Sequence, residues 1–171
     1  DERGVGNGWC LPAGPLREPW PRAVDLLVTH GAVPAGGMAP AFAATRRLAS
    51  HARRANGQQI ALTELGGQPL HALAGIARPE AFFDLLATAG LTPTTTEALP
   101  DHYDFESWTA SFDEGSALIC TEKDAVKLWQ RHPEAWAVPL VVDLPAGFYR
   151  QLDALLAPKL SLSLNDGHTT A

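Results

Sequence analysis

The chain of 171 residues is poor in several things, and each shortage closes off a class of function. It has only two cysteines, Cys10 and Cys120, with no C-x-x-C pair. That excludes a disulfide framework, a redox dithiol and a cysteine-built zinc site, and points to a reducing compartment. No apolar run approaches the roughly 20 residues that span a bilayer. Lys and Arg total 13 against 19 Asp and Glu, a net charge of −6, which excludes the basic footprint of a dedicated nucleic-acid binder. The pattern G-x-x-x-x-G-K-[ST] occurs nowhere, so this polypeptide carries no phosphate-binding loop of its own. What it has is 46% hydrophobic residues, enough for an ordinary domain with its own core.

The first residues, "DERGVGNGWCLPAGPLREPW", are dense in Gly and Pro and show no sustained period, so they predict an ordered strap rather than a helix or central strand. The chain begins without Met inside a Gly-rich turn, which predicts further sequence upstream. Val24 to Thr29 predicts a buried strand, and Phe42 to Ala55 a helix with Arg46, Arg47, Arg53 and Arg54 on one arc. Ile60 to Leu62, His71 to Ile76, Ala117 to Cys120 and Val138 to Val142 are short apolar runs that read as strands. Leu91 to Leu99 reads as an edge strand. Helices are expected from Pro79 to Ala89, closed by Gly90, and over Phe105–Phe112, Asp124–Gln130 and Phe148–Leu156. Alternating strands and helices, with strands apolar throughout, predict a three-layer α/β domain on a mainly parallel sheet. Ligands of such sheets collect at the carboxyl ends of the strands.

Three stretches concentrate chemistry. In "GSALICTEKDAVKL", Thr121 follows a strand and Asp124 stands three residues on, the spacing of a helix cap. Glu122, Lys123 and Asp124 therefore either cap and solvate their own helix or face a site at the strand edge. Local spacing leaves both open. "DHYDF" sets His102 between Asp101 and Asp104. The histidine can serve as a base or as a partner that orients a carboxylate, but no second ligand lies at metal spacing. "GNGWCLPAGPLREP" carries Asn7, Arg17 and Glu18, where Arg is the natural bidentate phosphate binder and an adjacent Arg and Glu are ordinarily a surface pair. The Arg-rich segment suits an anionic surface or, more simply, water.

"GNGWCLPAGPLREP" at 6–19, "AGIARPEAFFDLL" at 74–86, "PDHYDF" at 100–105 and "LICTEKDAVKL" at 118–128 together resemble one family, the tetraacyldisaccharide 4′-kinases of lipid A biosynthesis. The resemblance runs from the first residues to about Leu156. It implies the Rossmann-like carboxyl-terminal lobe of a P-loop-type kinase, which uses ATP and Mg²⁺ to phosphorylate the 4′-hydroxyl of a tetraacyldisaccharide 1-phosphate, giving lipid IVA. ATP and Mg²⁺ would be held mainly by an amino-terminal P-loop lobe. The work would be done peripherally at the cytoplasmic face of the bacterial inner membrane. His102 corresponds to the histidine that pairs with the catalytic Asp of that lobe. Arg17 and Glu18 would stand at the mouth between lobes, and Asn7, Glu122, Lys123 and Asp124 are further phosphate or cleft candidates. "GIARPE" departs from the family by lacking a second Gly before the Pro. The implied division is a strap at 1–22, a lobe at 23–157 and a polar tail at 158–171. The competing reading is a non-catalytic α/β module that binds a phosphorylated ligand or a partner protein.

Overall fold

Short apolar segments decide the central sheet. The computed structural model describes residues 4–109 and 115–165 (the last five by backbone only), and in it the centres of the strands those segments form are covered on both faces. In chain order the elements are β1 (Leu27–Thr29), β2 (Ala41–Ala43), β3 (Thr45–Leu48), β4 (His51–Arg53), β5 (Gln59–Ala61), α1 (Leu62–Leu65), β6 (Leu70–Ala74), α2 (Pro79–Thr88), β7 (Thr95–Ala98), β8 (Ala117–Thr121), α3 (Glu122–Leu128), β9 (Trp136–Val138), β10 (Leu140–Asp143) and α4 (Ala146–Asn165). The chain divides into two compact units, Arg46–Val141 and the combination of Asp1–Thr45 with Val142–Ala171.

Within Arg46–Val141 lies a six-stranded sheet of order β5-β4-β9-β8-β6-β7. The four strands from β9 to β7 are parallel, and β4 and β5 add antiparallel at the other side. Side chains alternate across this sheet as the pleat requires. Ala72, Ala74, Ile119, Trp136 and Val138 join α1 and α2 in one core cluster, through Leu62, Leu65, Phe82 and Leu86. Leu73, Leu118, Cys120 and Ala137 join α3 in the other, through Ala125 and Leu128, together with Phe105 and Trp108. Both faces are therefore covered, which is why β6 and β9 are buried at every position. The expected three-layer α/β architecture with a mainly parallel sheet holds.

Five local expectations differ from the structure. The segment Phe42–Ala55 is not a helix but β2, β3 and β4. Its Ala and Arg favour a helix, yet β4 alternates exposed His51, buried Ala52 and exposed Arg53 and pairs with both β5 and β9. Sheet pairing overrides propensity here. The β4–β5 turn is built on Asn56-Gly57, with Gly57 at φ 83° and its N–H donated to the Arg54 carbonyl. Residues 105–109 also form no helix, and the remainder of that expected helix lies outside the described residues. Phe105 is buried with φ 65°, a conformation that no helix admits. The Trp108 indole N–H donates to Glu97 Oε1 at 3.1 Å, while buried His71 meets Glu97 Oε2 at 3.2 Å and Thr95 Oγ1 at 2.6 Å.

Val138–Val142 is not one strand. Pro139, with no N–H to donate, separates β9 from β10, and β10 pairs instead with β3 in a separate two-stranded sheet. The division between the units cuts both β3 and β10. Finally, the Val24–Thr29 run contributes only β1, which pairs in parallel with β2 outside the main sheet. Val28 is half exposed there, so this strand is not buried as its composition suggests. The described residues of the strap before it contain turns and one isolated bridge, Cys10 to Leu16, without helix or strand. The last helix, α4, continues past Leu156 through Pro158 to Asn165, where a polar tail was expected. No helix among the described residues is long and apolar enough to cross a membrane.

Candidate functional site

The connection from β6 passes through α2 to β7, whereas that from β8 passes through α3 to β9 in the opposite direction along the sheet. The right-handed rule for such crossovers places α2 and α3 on opposite faces, as the two core clusters show. The chain therefore reverses between β6 and β8. The carboxyl ends of the two strands where this happens are the place where α/β sheets bind ligands.

Three segments meet at this edge. Gly75 ends β6, Thr121 leads β8 into α3, and the loop 99–105 crosses over both. The register Leu73↔Cys120 brings the two strand ends side by side. Thr121 and Asp124 cap α3 reciprocally: the Asp124 N–H donates to Thr121 Oγ1 at 3.2 Å, and that hydroxyl donates to Asp124 Oδ2 at 2.7 Å. The same carboxylate oxygen accepts the Gly75 N–H at 3.1 Å, so a buried Asp fastens one strand end to the next helix. Gly75 has no side chain for a reason. A Cβ there would meet Asp124 Oδ1 at 3.1 Å and Tyr103 Cβ at 3.3 Å.

The loop is anchored by the rest of the charged stretch. His102 N–H donates to the Gly75 carbonyl at 3.2 Å, and Leu99 N–H to that of Ala74 at 2.9 Å. Lys123 Nζ donates to Asp101 Oδ1 at 2.8 Å, and this bond holds the Asp101 carboxyl below its ordinary value of 3.8, with the nearby His102 reinforcing it. Lys127 Nζ donates to the carbonyls of His102 and Tyr103 at 3.0 and 3.1 Å. Asp104 does not cap a helix; its Oδ1 accepts the Glu106 N–H at 3.0 Å within the loop. Glu122 turns the other way and takes Arg53 Nη2 at 2.7 Å.

His102 is the exception among these residues. Its φ of 65° lies in the left-handed region, which costs a non-glycine residue about 1–2 kcal/mol. Its side chain is 74% exposed, and the nearest carboxylate oxygen, Asp101 Oδ2, is 3.7 Å from Nε2. Backbone strain under an exposed ionisable ring is a mark of functional loops. The arrangement can present an imidazole beside an ionised carboxylate, able to orient a second carboxylate or to carry a proton. Among the described residues no three His, Cys, Asp or Glu side chains gather as a metal site.

The remaining candidates lie in the other unit. Asn7 is used within its own loop: Nδ2 donates to the Ala13 carbonyl at 3.0 Å and Oδ1 accepts the Trp9 N–H at 3.1 Å. Glu18 pairs with Arg22 one helical turn's spacing away rather than with adjacent Arg17, whose side chain belongs to an exposed residue. Sequence spacing identified Lys123 but gave no role to Lys127, Asp101 or Gly75. The i, i+4 spacing of Lys123 and Lys127 was the available signal that both reach one loop.

Comparison with known proteins accords with this geometry. The family described as Tetraacyldisaccharide-1-P 4'-kinase (LpxK) matches residues 1–157. A tetraacyldisaccharide 4'-kinase of Acidovorax sp. (strain JS42) is 60% identical over 168 residues, 98% of this chain and 48% of that protein. One from Verminephrobacter eiseniae (strain EF01-2) is 54% identical over 95% of this chain and 38% of its own length. The "apo" form of LpxK from Aquifex aeolicus, crystallised in complex with ATP, gives a TM-score of 0.65 at 26% identity, over 83% of this chain and 46% of that one. The chain spans about half the length of the curated relatives it matches, and corresponds to their carboxyl-terminal half. With residues 1–157 matched by the family, the chain belongs to the tetraacyldisaccharide-1-P 4'-kinase (LpxK) family.

Proposed function

We propose that this chain is the carboxyl-terminal part of a kinase that transfers the γ-phosphate of ATP to the 4′-hydroxyl of a tetraacyldisaccharide 1-phosphate, giving lipid IVA. The single observation that carries the reading is His102, strained, exposed and held at the switch point of the sheet. An amino-terminal P-loop lobe supplies the phosphate-binding loop, most of the ATP and Mg²⁺ contacts and the catalytic Asp. This chain supplies the imidazole that orients that Asp while the carboxylate accepts the proton of the sugar hydroxyl. Arg17 and Glu18 stand at the mouth of the cleft, where a guanidinium offers a bidentate match to phosphate. Asn7 shapes the strap that carries them, Asp124 and Lys123 secure the loop that presents His102, and Glu122 is a further cleft residue. The enzyme meets its acylated substrate as a peripheral protein at the cytoplasmic face of the bacterial inner membrane.

In the full-length kinase, His102→Ala is expected to lower turnover by about 10²–10⁴-fold, the usual worth of a proton-handling group, with the fold retained. Undiminished lipid IVA formation by that variant would remove His102 from the mechanism. Tight binding of the disaccharide phosphate to the isolated chain without ATP would instead favour a non-catalytic binding module.

A further inference from the structure

The His102 side chain is not held by packing. It is 74% exposed, and the carboxylate beside its ring, on Asp101, is 3.7 Å away. Whatever fixes the ring must therefore act through the backbone, and the backbone here is in a conformation that relaxes unless something over-determines it. Two anchors do so. The Gly75 carbonyl receives the His102 N–H from below. From the other side, Lys127 Nζ binds the His102 carbonyl and the next one, on Tyr103.

Resting on the reading of His102 above, we infer that Lys127 is a positioning residue, holding the left-handed backbone from which the imidazole reaches the reacting groups. Its placement suits that task better than a role in charge alone. Lys123, one turn earlier, is spent on a carboxylate, whereas the bonds of Lys127 both go to neutral carbonyls of consecutive residues. The helix that carries it is fixed at its start by the Thr121–Asp124 cap and along its length by buried Ala125 and Leu128. The ammonium is thus a fixed point. The charge-assisted bond to the His102 carbonyl orients the peptide plane that follows His102, and so its ψ, while the bond to the Tyr103 carbonyl holds the next plane.

The test is a double-mutant cycle in the full-length kinase, with turnover and both KM values measured. Lys127→Met is expected to lower kcat about ten-fold, the worth of one charge-assisted bond, with KM for ATP and for the lipid unchanged. In a His102→Ala background the same change should cost nothing further, because the group it positions is gone. An equal loss in both backgrounds, or no loss in either, overturns the inference. If His102→Ala itself leaves turnover unchanged, the functional reading fails while the positioning claim is still decided by amide exchange. Lys127→Met must then speed exchange across residues 100–105 about ten-fold over wild type, and unchanged protection there overturns the claim.

Discussion

Asp124 and Gly75, 49 residues apart, share one hydrogen bond of 3.1 Å that ties the end of β6 to the first turn of α3. Because the same carboxylate completes the cap with Thr121, a single buried side chain closes the helix and sets the spacing of two strand ends.

Removing that carboxylate should be costly. Asp124→Ala loses a cap and leaves the Gly75 N–H without its acceptor, together about 2–4 kcal/mol in urea unfolding. Glu122→Gln breaks an ion pair whose side chains are 52% and 38% exposed and should cost under about 1 kcal/mol. Equal losses in the two variants would mean that Asp124 is no more than another surface charge.

The Asp101–Lys123 bond predicts a pH effect of definite sign. The folded carboxyl titrates below the ordinary 3.8, mainly because Lys123 donates to its charged form. Its stabilisation is therefore complete above the unfolded value and is lost as pH falls through the folded one. Lys123→Met should raise the Asp101 titration toward 3.8 in carbon-detected NMR. An unmoved midpoint would show that the bond does not persist in solution.

The two thiols should differ sharply. Cys120 is fully buried, and burial, then the nearby Asp124 charge, pushes its pKa far up. Cys10 is only half buried. Under native conditions iodoacetamide should label Cys10 alone, with Cys120 modified only after denaturant is added. Peptide mass spectra showing native labelling of Cys120 would contradict the packing of β8.

At the β4–β5 turn, Gly57 has φ 83° and nothing within 4 Å of where a Cβ would stand. Gly57→Ala should thus cost only the conformational penalty, about 1 kcal/mol. A loss several times larger would mean that the turn packs against something.

How much of this could be read from the residues depends on range. β6, β8, α2 and α3 were legible because apolar runs, Pro79 and the Thr121–Asp124 spacing are local signals, and they survive in the fold. The β2–β4 region reads as a helix in the sequence because a three-residue strand shows too little alternation to outweigh Ala and Arg. Asn56-Gly57, a strong hairpin signature, is the local sign of the turn. No local pattern foretells that Phe105 will enter the core with a positive φ, nor that Pro139 will divide a strand between two sheets. At the candidate site the residue types were visible but their partners were not. Arg53 reaches Glu122 across 69 residues, and Lys127 reaches a carbonyl 25 residues away.

The six-stranded sheet ends at β7, a four-residue strand, Thr95–Ala98, lying between Pro93 and Pro100. An open sheet edge is a template on which other chains can stack, and proteins blunt it with brevity, charge and proline. Here Glu97 puts a carboxylate in the strand while the flanking prolines, without N–H groups, deny an incoming strand a longer ladder. The sequence "PTTTEALP" thus doubles as a safeguard of solubility, keeping the molecule from growing edge to edge into aggregates.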